Sequence, residues 1–359
     1  SMWKANPITS RLKIKWPIIQ APMAGGATTP ALVAAVSEAG GLGTLGAAYM
    51  TPQQIREAIH AIRDLTDKPF GVNLFIPEDF DATQPIADTV ASALNEVRRE
   101  LDIPESPQVT RFQESFAEQL QVVLEEVPAV FSFTFGMLDA RSLQALKQKG
   151  VTVIGTATTV REAVVLEAGG VDMIAAQGSE AGGHRGSFLP DSPSNLIGTM
   201  ALVPQIVDRV KIPVIAAGGM MDGRGIAAAL ALGAQAAQLG TAFLTCAESG
   251  AHALHKQAIR ESSEEGIVMT RAFSGKWARG IENEFMRKLA PLDQELPAYP
   301  VQNALTKDIR AAAGKQQKSA YMSMWAGQAA PLGRELGAGE LVLRLVEETK
   351  RACAGLVQE

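Results

Sequence analysis

The stretch VTVIGTATTVREAVVLEAGGVDMIAAQGSEAGGHRG, residues 151–186, decides the fold. It begins with an apolar run at 151–155, continues with a helical pattern at 159–168, and returns to an apolar run at 172–176. A strand, a helix and a second strand in immediate succession predict a parallel βα unit, because parallel strands need a helical crossover between them. The glycine-rich segment that follows the second strand predicts a loop.

The same alternation extends in both directions from this stretch. Further apolar runs predict strands at 18–21, 42–45, 70–75, 129–135, 213–217 and 236–240. Helical patterns lie between them, and the helix after the second strand begins with Thr51-Pro52, which is typical of an N-cap followed by proline. Eight successive units predict an α/β fold that is a closed (β/α)8 TIM barrel, since an open doubly wound sheet does not need eight in unbroken order.

The alternation stops after residue 246. Residues 247–324 contain a helical stretch, a β-like segment at 266–271 and a polar passage with prolines, which we interpret as a cap or substrate subdomain over the barrel mouth. A last helix at 339–354 has an apolar side and is expected to pack on the barrel wall. The predicted division is therefore a barrel at 1–246 and 325–359 with a cap at 247–324.

Composition narrows the class of protein. Hydrophobic residues make up 47% and charged residues 20%, and the net charge is −5, which suits a soluble enzyme and offers no basic surface for nucleic acid. We expect no membrane association, because we see neither a secretion signal nor a membrane-spanning apolar run. Two cysteines, Cys246 and Cys353, favour a reducing cytoplasm. His252 and His255 lack an evident third ligand, so we predict no metal site.

Active sites of TIM barrels lie in the loops after the strands. After the first strand, Ala21, Pro22 and Met23 form a turn that allows a planar ligand to approach the backbone. Asn73 lies inside the third strand, where a buried amide would bind either a flavin ring edge or neighbouring backbone. We therefore predict these residues as cofactor ligands.

The loop after the sixth strand carries the sharpest signal, with four glycines among residues 177–186. His184 lies within this loop, and its ordinary pKa range suits proton transfer near neutral pH, so we predict it as the catalytic residue. Gln177, Gly182 and Gly183 are predicted to contact the cofactor, because glycine backbone can lie close against it.

Two further glycine turns follow the seventh and eighth strands, where barrels of this class bind phosphate through backbone N–H groups. The residues predicted there are Ala217, Gly218, Gly219, Gly240 and Thr241. The chain has neither a P-loop nor a GxGxxG motif after its first strand, which disfavours ATP or NAD as the resident nucleotide.

Five barrel segments resemble the nitronate monooxygenases, formerly called 2-nitropropane dioxygenases. They are QAPMAG (20–25), GVNLF (71–75), SFTFG (132–136), QGSEAGGHRG (177–186) and AAGG (216–219). Tyr299-Pro300, Asn303, Lys307 and the segment 326–328 in the cap region are also similar. The barrel segments alone are shared with FMN-dependent enoyl reductases.

The resemblance implies one FMN, no metal, and oxidation of alkyl nitronates by O₂ to a carbonyl compound and nitrite. Propionate 3-nitronate, a toxic anion, is the natural target that it implies. In that scheme His184 orients the substrate and abstracts the α-proton of a neutral nitroalkane. Tyr299 and Lys307 hold the nitronate charge or a substrate carboxylate, although Lys307 is equally well explained as a solvated surface lysine.

This sequence departs from the family pattern at two positions. Some family members have a histidine where Thr134 stands, and threonine is too weak a base for a second proton acceptor, which leaves Thr134 a hydrogen-bonding role toward substrate. Asn303 replaces an aromatic side chain near the substrate.

Two alternatives stay open. The first is an NAD(P)H-dependent FMN quinone reductase or enoyl-thioester reductase on the same fold, and the second is a flavin-binding barrel without turnover. As partners we expect only the small nitronate and O₂, and as an assembly we consider a homodimer.

Overall fold

The structure is a computed structural model that describes residues 3–189 and 195–357. All eight barrel strands predicted from the sequence are present, with ends that differ by at most two residues. In chain order the strands are β1 (Ile18–Gln20), β2 (Gly43–Gly46), β3 (Phe70–Phe75), β4 (Val130–Thr134), β5 (Thr152–Ala157), β6 (Met173–Gln177), β7 (Gly183–His184), β8 (Val214–Ala217), β9 (Ala236–Leu239), β10 (Ile267–Thr270) and β11 (Ala278–Ile281).

The helices surround the barrel and form much of the cap. They are α1 (Pro7–Leu12), α2 (Pro30–Glu38), α3 (Pro52–Leu65), α4 (Asp88–Glu100), α5 (Phe116–Glu126), α6 (Ala140–Gln148), α7 (Val160–Gly169), α8 (Thr199–Arg209), α9 (Gly223–Ala231), α10 (Thr241–Leu244), α11 (Ala253–Arg260), α12 (Glu284–Leu289), α13 (Val301–Leu305), α14 (Lys307–Lys315) and α15 (Ala338–Leu356).

Local capping chemistry explains where α3 begins. The Thr51 side chain accepts a hydrogen bond from the backbone N–H of Gln54, and the Gln54 side chain accepts one from the N–H of Thr51. This reciprocal pair, followed by Pro52, satisfies N–H groups that the first turn of a helix leaves free. The predicted cap at Thr51 is confirmed.

The eight strands form one parallel sheet in the order β1-β9-β8-β6-β5-β4-β3-β2. A parallel bridge between Ile19 and Leu42 joins the two ends of this order. The Leu42 N–H donates to the Ile18 carbonyl at 3.0 Å, and the Gln20 N–H donates to the Leu42 carbonyl at 2.9 Å. The sheet therefore closes, which confirms the predicted TIM barrel.

The position of the eighth barrel helix distinguishes this chain from a simple repeat. The short α10 follows β9, and α15, from the far end of the chain, packs between α9 and α2. Its buried side includes Leu341, Val342, Leu345 and Val346, as the apolar pattern predicts. The chain therefore returns to the barrel wall at α15.

A second sheet and a second hydrophobic core form the cap. β11 pairs antiparallel with β10 and also with β7, so that His184 lies opposite Ala278. The cap core includes Phe273 and Phe285, and α4 packs into this core through Val90 and neighbouring apolar residues. α4, β7 and β11 are not among the elements that the sequence patterns predict. Among the described helices, none is long and apolar enough to cross a membrane.

Candidate active site

A cavity of about 510 Å³ lies at the carboxyl ends of the barrel strands. Its wall combines strand ends, the loops after them and several cap residues. The structure brings together there most of the residues that the sequence predicts, namely Ala21, Pro22, Met23, Asn73, Thr134, Gln177, Gly182, Gly183, His184, Ala217, Gly218, Gly219, Gly240 and Thr241.

The loop that carries His184 is shaped by its own backbone and by Gln177. The Gln177 Oε1 accepts a hydrogen bond from the Gly186 N–H at 2.7 Å, and its Nε2 donates to the His184 carbonyl at 3.1 Å. Through these two hydrogen bonds Gln177, which the sequence predicts as a flavin partner, fixes the conformation of the loop. Gly183 has φ +74°, a conformation that glycine adopts without strain.

Gly182 allows the loop to touch the cap. A β-carbon at this position would lie 2.6 Å from the backbone of Ala326 and of Gly327. Such contacts cannot be relieved by rotating a side chain, so only glycine fits here. The close approach brings residues 182–184 against the segment that precedes α15.

A buried serine fixes the His184 ring. Ser274, only 1% exposed, places its Oγ 2.6 Å from His184 Nε2. The same Oγ lies 3.3 Å from both the carbonyl oxygen and the amide nitrogen of Lys276, which holds the hydroxyl in the turn. Imidazole orientation at catalytic sites is commonly set by such a partner.

His184 is neutral at ordinary pH. Burial, followed by the positive charges of Lys276 and Arg310, lowers the pKa of its imidazole to about 3. A neutral ring can donate through one nitrogen and accept through the other. It is a weak base, however, and suits hydrogen bonding to an anion better than removal of a carbon-bound proton.

Aromatic rings enclose the imidazole. The centroids of Phe135, Tyr299 and Trp325 lie 6.1, 6.0 and 5.5 Å from that of His184. Tyr49, directly after β2, interacts with Tyr299 and raises the pKa of the Tyr299 phenol in addition to the larger effect of burial. These rings place low-polarity surface beside the imidazole, which strengthens electrostatic interactions at the site.

Backbone donors gather at the loops after β8 and β9. Gly218 and Gly219 have φ of +112° and +77°, which reverse the chain sharply. Within the described chain, the N–H groups of Gly219, Gly240 and Thr241 donate to no other residue. Cavity-lining residues with free N–H groups are suited to binding an anion such as phosphate.

Asn73 and Thr134 meet across two neighbouring strands. The Asn73 Nδ2 donates to Ser132 Oγ at 2.9 Å and to Thr134 Oγ1 at 3.4 Å. Asn73 is 3% exposed and lines the cavity, and its Oδ1 accepts no hydrogen bond from the described residues. The amide oxygen is therefore available to an N–H group of a bound ring.

The cap residues predicted for substrate differ in position. Neither Tyr299 nor Lys307 is among the cavity-lining residues. Tyr299 packs against the ring of His184, whereas Lys307 is exposed at the start of α14. Arg310, one helical turn further along α14, lines the cavity instead.

Four residues that line the cavity or contact His184 were not predicted from the sequence, namely Tyr49, Ser274, Arg310 and Trp325. Tyr49 follows a barrel strand and could have been found by the rule that identified the other loops. Ser274, Arg310 and Trp325 come from the cap, where no local pattern marks them.

His252 and His255 have structural partners. The His252 Nδ1 accepts from the Leu254 N–H at 3.0 Å, which leaves Nε2 to donate to the Gly314 carbonyl at 2.9 Å. His255 Nε2 donates to the Trp325 carbonyl at 2.8 Å. Among the described residues, no group of three or more metal-ligating side chains is assembled.

Comparisons with known proteins point to one family. The family model described as nitronate monooxygenase matches residues 6–348. A probable nitronate monooxygenase of Staphylococcus haemolyticus is 46% identical over 97% of this chain and 98% of its own length. The corresponding protein of Staphylococcus aureus (strain MSSA476) is 44% identical over 97% of this chain and 98% of its own.

Solved structures agree. A nitroalkane oxidase from Streptomyces ansochromogenes superposes with a TM-score of 0.88 at 40% identity, over 98% of this chain and 100% of the other. FabK from Thermotoga maritima superposes with a TM-score of 0.76 at 32% identity, over 98% of each chain. The fold, the His184 loop and these matches together show that the chain belongs to the nitronate monooxygenase family of oxidoreductases.

Proposed function

We propose that the chain uses one FMN and O₂ to oxidise alkyl nitronates, with propionate 3-nitronate as its natural substrate, to a carbonyl compound and nitrite. The observation that carries the proposal is the neutral imidazole of His184 on the wall of a cavity whose positive charge comes from Arg310. A nitronate is already deprotonated, so it needs a hydrogen-bonding partner and a positive environment more than a strong base.

The residues present fit FMN. The free N–H groups of Gly219, Gly240 and Thr241 suit its phosphate, as the loops after the last two strands do in many barrels. The small-residue turn at Ala21 and the free Oδ1 of Asn73 suit the flat ring system and its N–H edge. A cavity of about 510 Å³ has room for a cofactor and a small substrate.

FMN, when bound, supplies the capacity to take electrons from the substrate and pass them to O₂. The protein residues supply the binding and the geometry. His184 donates or accepts one hydrogen bond at the substrate, and Ser274 keeps the imidazole ring in place. Phe135, Tyr299 and Trp325 exclude water from the reacting group. The Tyr299 phenol stays protonated because burial raises its pKa, so it can donate to a nitronate oxygen.

The proposal is tested by anaerobic mixing of the flavin-loaded protein with propionate 3-nitronate, and separately with NADH, while flavin absorbance is recorded. We expect a rapid spectral change with the nitronate and none with NADH. Admission of O₂ should restore the original spectrum and release nitrite. Bleaching by NADH alone would instead favour the reductase alternative, and no change with either would leave a flavin-binding barrel without this activity.

A further inference from the structure

One charged side chain dominates the cavity wall. Among the described residues that line the cavity, Arg310 is the only Lys, Arg, Asp or Glu. No carboxylate offsets it on the wall, and the aromatic rings around His184 lower the local dielectric. The cavity therefore favours a ligand that is itself negatively charged.

The carboxylate closest to Arg310 along α14 already has another partner. Asp308 binds Arg98 through both oxygens, at 2.9 and 3.2 Å, and Arg98 is only 3% exposed. Within the part of the chain that the structure describes, no carboxylate oxygen lies within 4.0 Å of the Arg310 guanidinium. Lys276, the other cation near His184, forms an ion pair with Glu78 at 2.8 Å and is not among the cavity-lining residues.

The Arg310 guanidinium is nevertheless held in one orientation. Its Nε donates to Thr306 Oγ1 at 3.1 Å, and its Nη2 donates to the Asn303 carbonyl at 2.6 Å and to Asn303 Oδ1 at 3.2 Å. Thr306 is fully buried and in turn donates to the Phe273 carbonyl. The N–H groups of Nη1 donate to no described residue. A fixed guanidinium with free N–H groups is a preorganised carboxylate receptor.

We propose that Arg310 is the specificity-determining residue of this enzyme, binding the carboxylate of a nitronate that carries one while His184 faces the nitronate group. This assignment rests on the proposed function and deepens it. It moves the anion-binding role from Lys307, where the sequence resemblance puts it, to the cation that lines the cavity. The preferred substrates are therefore short dianions rather than simple alkyl nitronates.

Asn303 gives the assignment a feature particular to this chain. An aromatic residue at this position, as the family pattern has it, could not offer the Oδ1 that accepts from Arg310. The Asn303 side chain, which departs from the family pattern, is thus one of the groups that hold the Arg310 guanidinium in place.

The kinetic test compares propionate 3-nitronate with propyl-1-nitronate, which has the same number of carbons and no carboxylate. Arg310→Met removes the charge and keeps a long helix-forming side chain. Lys315→Met, which removes an exposed cation from the end of the same helix, is the matched control. In Arg310→Met we expect kcat/KM to fall about 50-fold with propionate 3-nitronate and less than about 3-fold with propyl-1-nitronate. Lys315→Met should leave both values unchanged.

Arg310→Lys keeps the positive charge but loses the planar guanidinium, which can bind a carboxylate through two N–H groups. We expect an intermediate loss of kcat/KM, confined to propionate 3-nitronate. Equal losses with the two nitronates would mean that Arg310 binds the nitronate group, and unchanged kinetics would mean that it binds neither. Either outcome would overturn the assignment.

A binding measurement separates this inference from the proposed function. Succinate mimics the dianion, with a planar carboxylate in place of the nitronate, and needs no turnover. Calorimetry on the flavin-loaded parent should show succinate binding, weakened about 30-fold in Arg310→Met and unchanged in Lys315→Met. Loss of succinate binding in Arg310→Met without nitronate turnover in the parent would refute the proposed function alone. Equal succinate affinity in the parent and Arg310→Met would refute the assignment of Arg310 as the carboxylate-binding residue.

Discussion

The Ser274 hydroxyl provides a direct test of how His184 is positioned. Ser274→Ala removes the 2.6 Å contact to His184 Nε2 from a site that is only 1% exposed, where no water can easily replace it. A buried polar atom that loses its partner costs about 1–3 kcal/mol. If the activation free energy rises by this amount because the His184 ring is no longer held, kcat/KM decreases by about 5- to 140-fold, since about 1.4 kcal/mol is a factor of ten.

The assay is steady-state nitronate oxidation, with melting temperature and flavin content measured on the same preparations. Ser262→Ala is the matched control, because its Oγ also donates to a nearby carbonyl, that of Ile259 at 2.7 Å, without touching His184. We expect the loss for Ser274→Ala to fall on kcat more than on KM, with flavin content retained. Kinetics equal to those of Ser262→Ala would refute the view that this hydroxyl orients the ring.

Three further outcomes follow from the site. His184→Asn should keep its yellow FMN while kcat/KM for a nitronate falls about 100-fold, as for loss of one transition-state hydrogen bond, and unchanged kinetics would remove His184 from the mechanism. The His184 pKa is lowered to about 3, so below its ordinary value of 6.5 the unfolded chain binds a proton that the folded chain does not. Unfolding free energy should therefore decrease as pH falls from 6.5 toward 3 and less steeply in His184→Asn, and equal slopes in chemical denaturation would contradict the shift. Gly182→Ala forces a β-carbon to within 2.6 Å of backbone and should lower stability by about 1–3 kcal/mol and flavin content with it, whereas Gly355→Ala, with open space around its β-carbon, should not. Full flavin content and an unchanged melting temperature in Gly182→Ala would show that the cap can move away from this loop.

Much of the barrel could be predicted because its determinants are local. The spacing of apolar residues that distinguishes strands from helices involves only residues close in sequence, and the N-cap of α3 depends only on Thr51, Pro52 and Gln54. Parallel strands bring their carboxyl ends to one side, so residues after separate strands, such as Asn73 and Gly218, meet at a common cavity without further information.

The cap could not be predicted in the same way. α4 has apolar positions at Val90, Ala93, Leu94 and Val97, which indicate a buried face but not the surface that covers it. In the structure that surface is the cap core, to which the chain returns nearly two hundred residues later. β7 has only two residues and exists because β11 pairs with it.

The sequence by itself therefore determined the βα barrel, the side on which the site lies, and the loop that carries His184, because hydrophobic periodicity and parallel topology act through short-range patterns. The tertiary structure alone decided that Ser274 reaches the His184 ring and that Arg310, not Lys307, lines the cavity. It also decided that Asp308 is occupied by Arg98, 210 residues away. Whether a charge is paired depends on which distant side chains the packed cap brings within about 4 Å, and no local pattern encodes that distance.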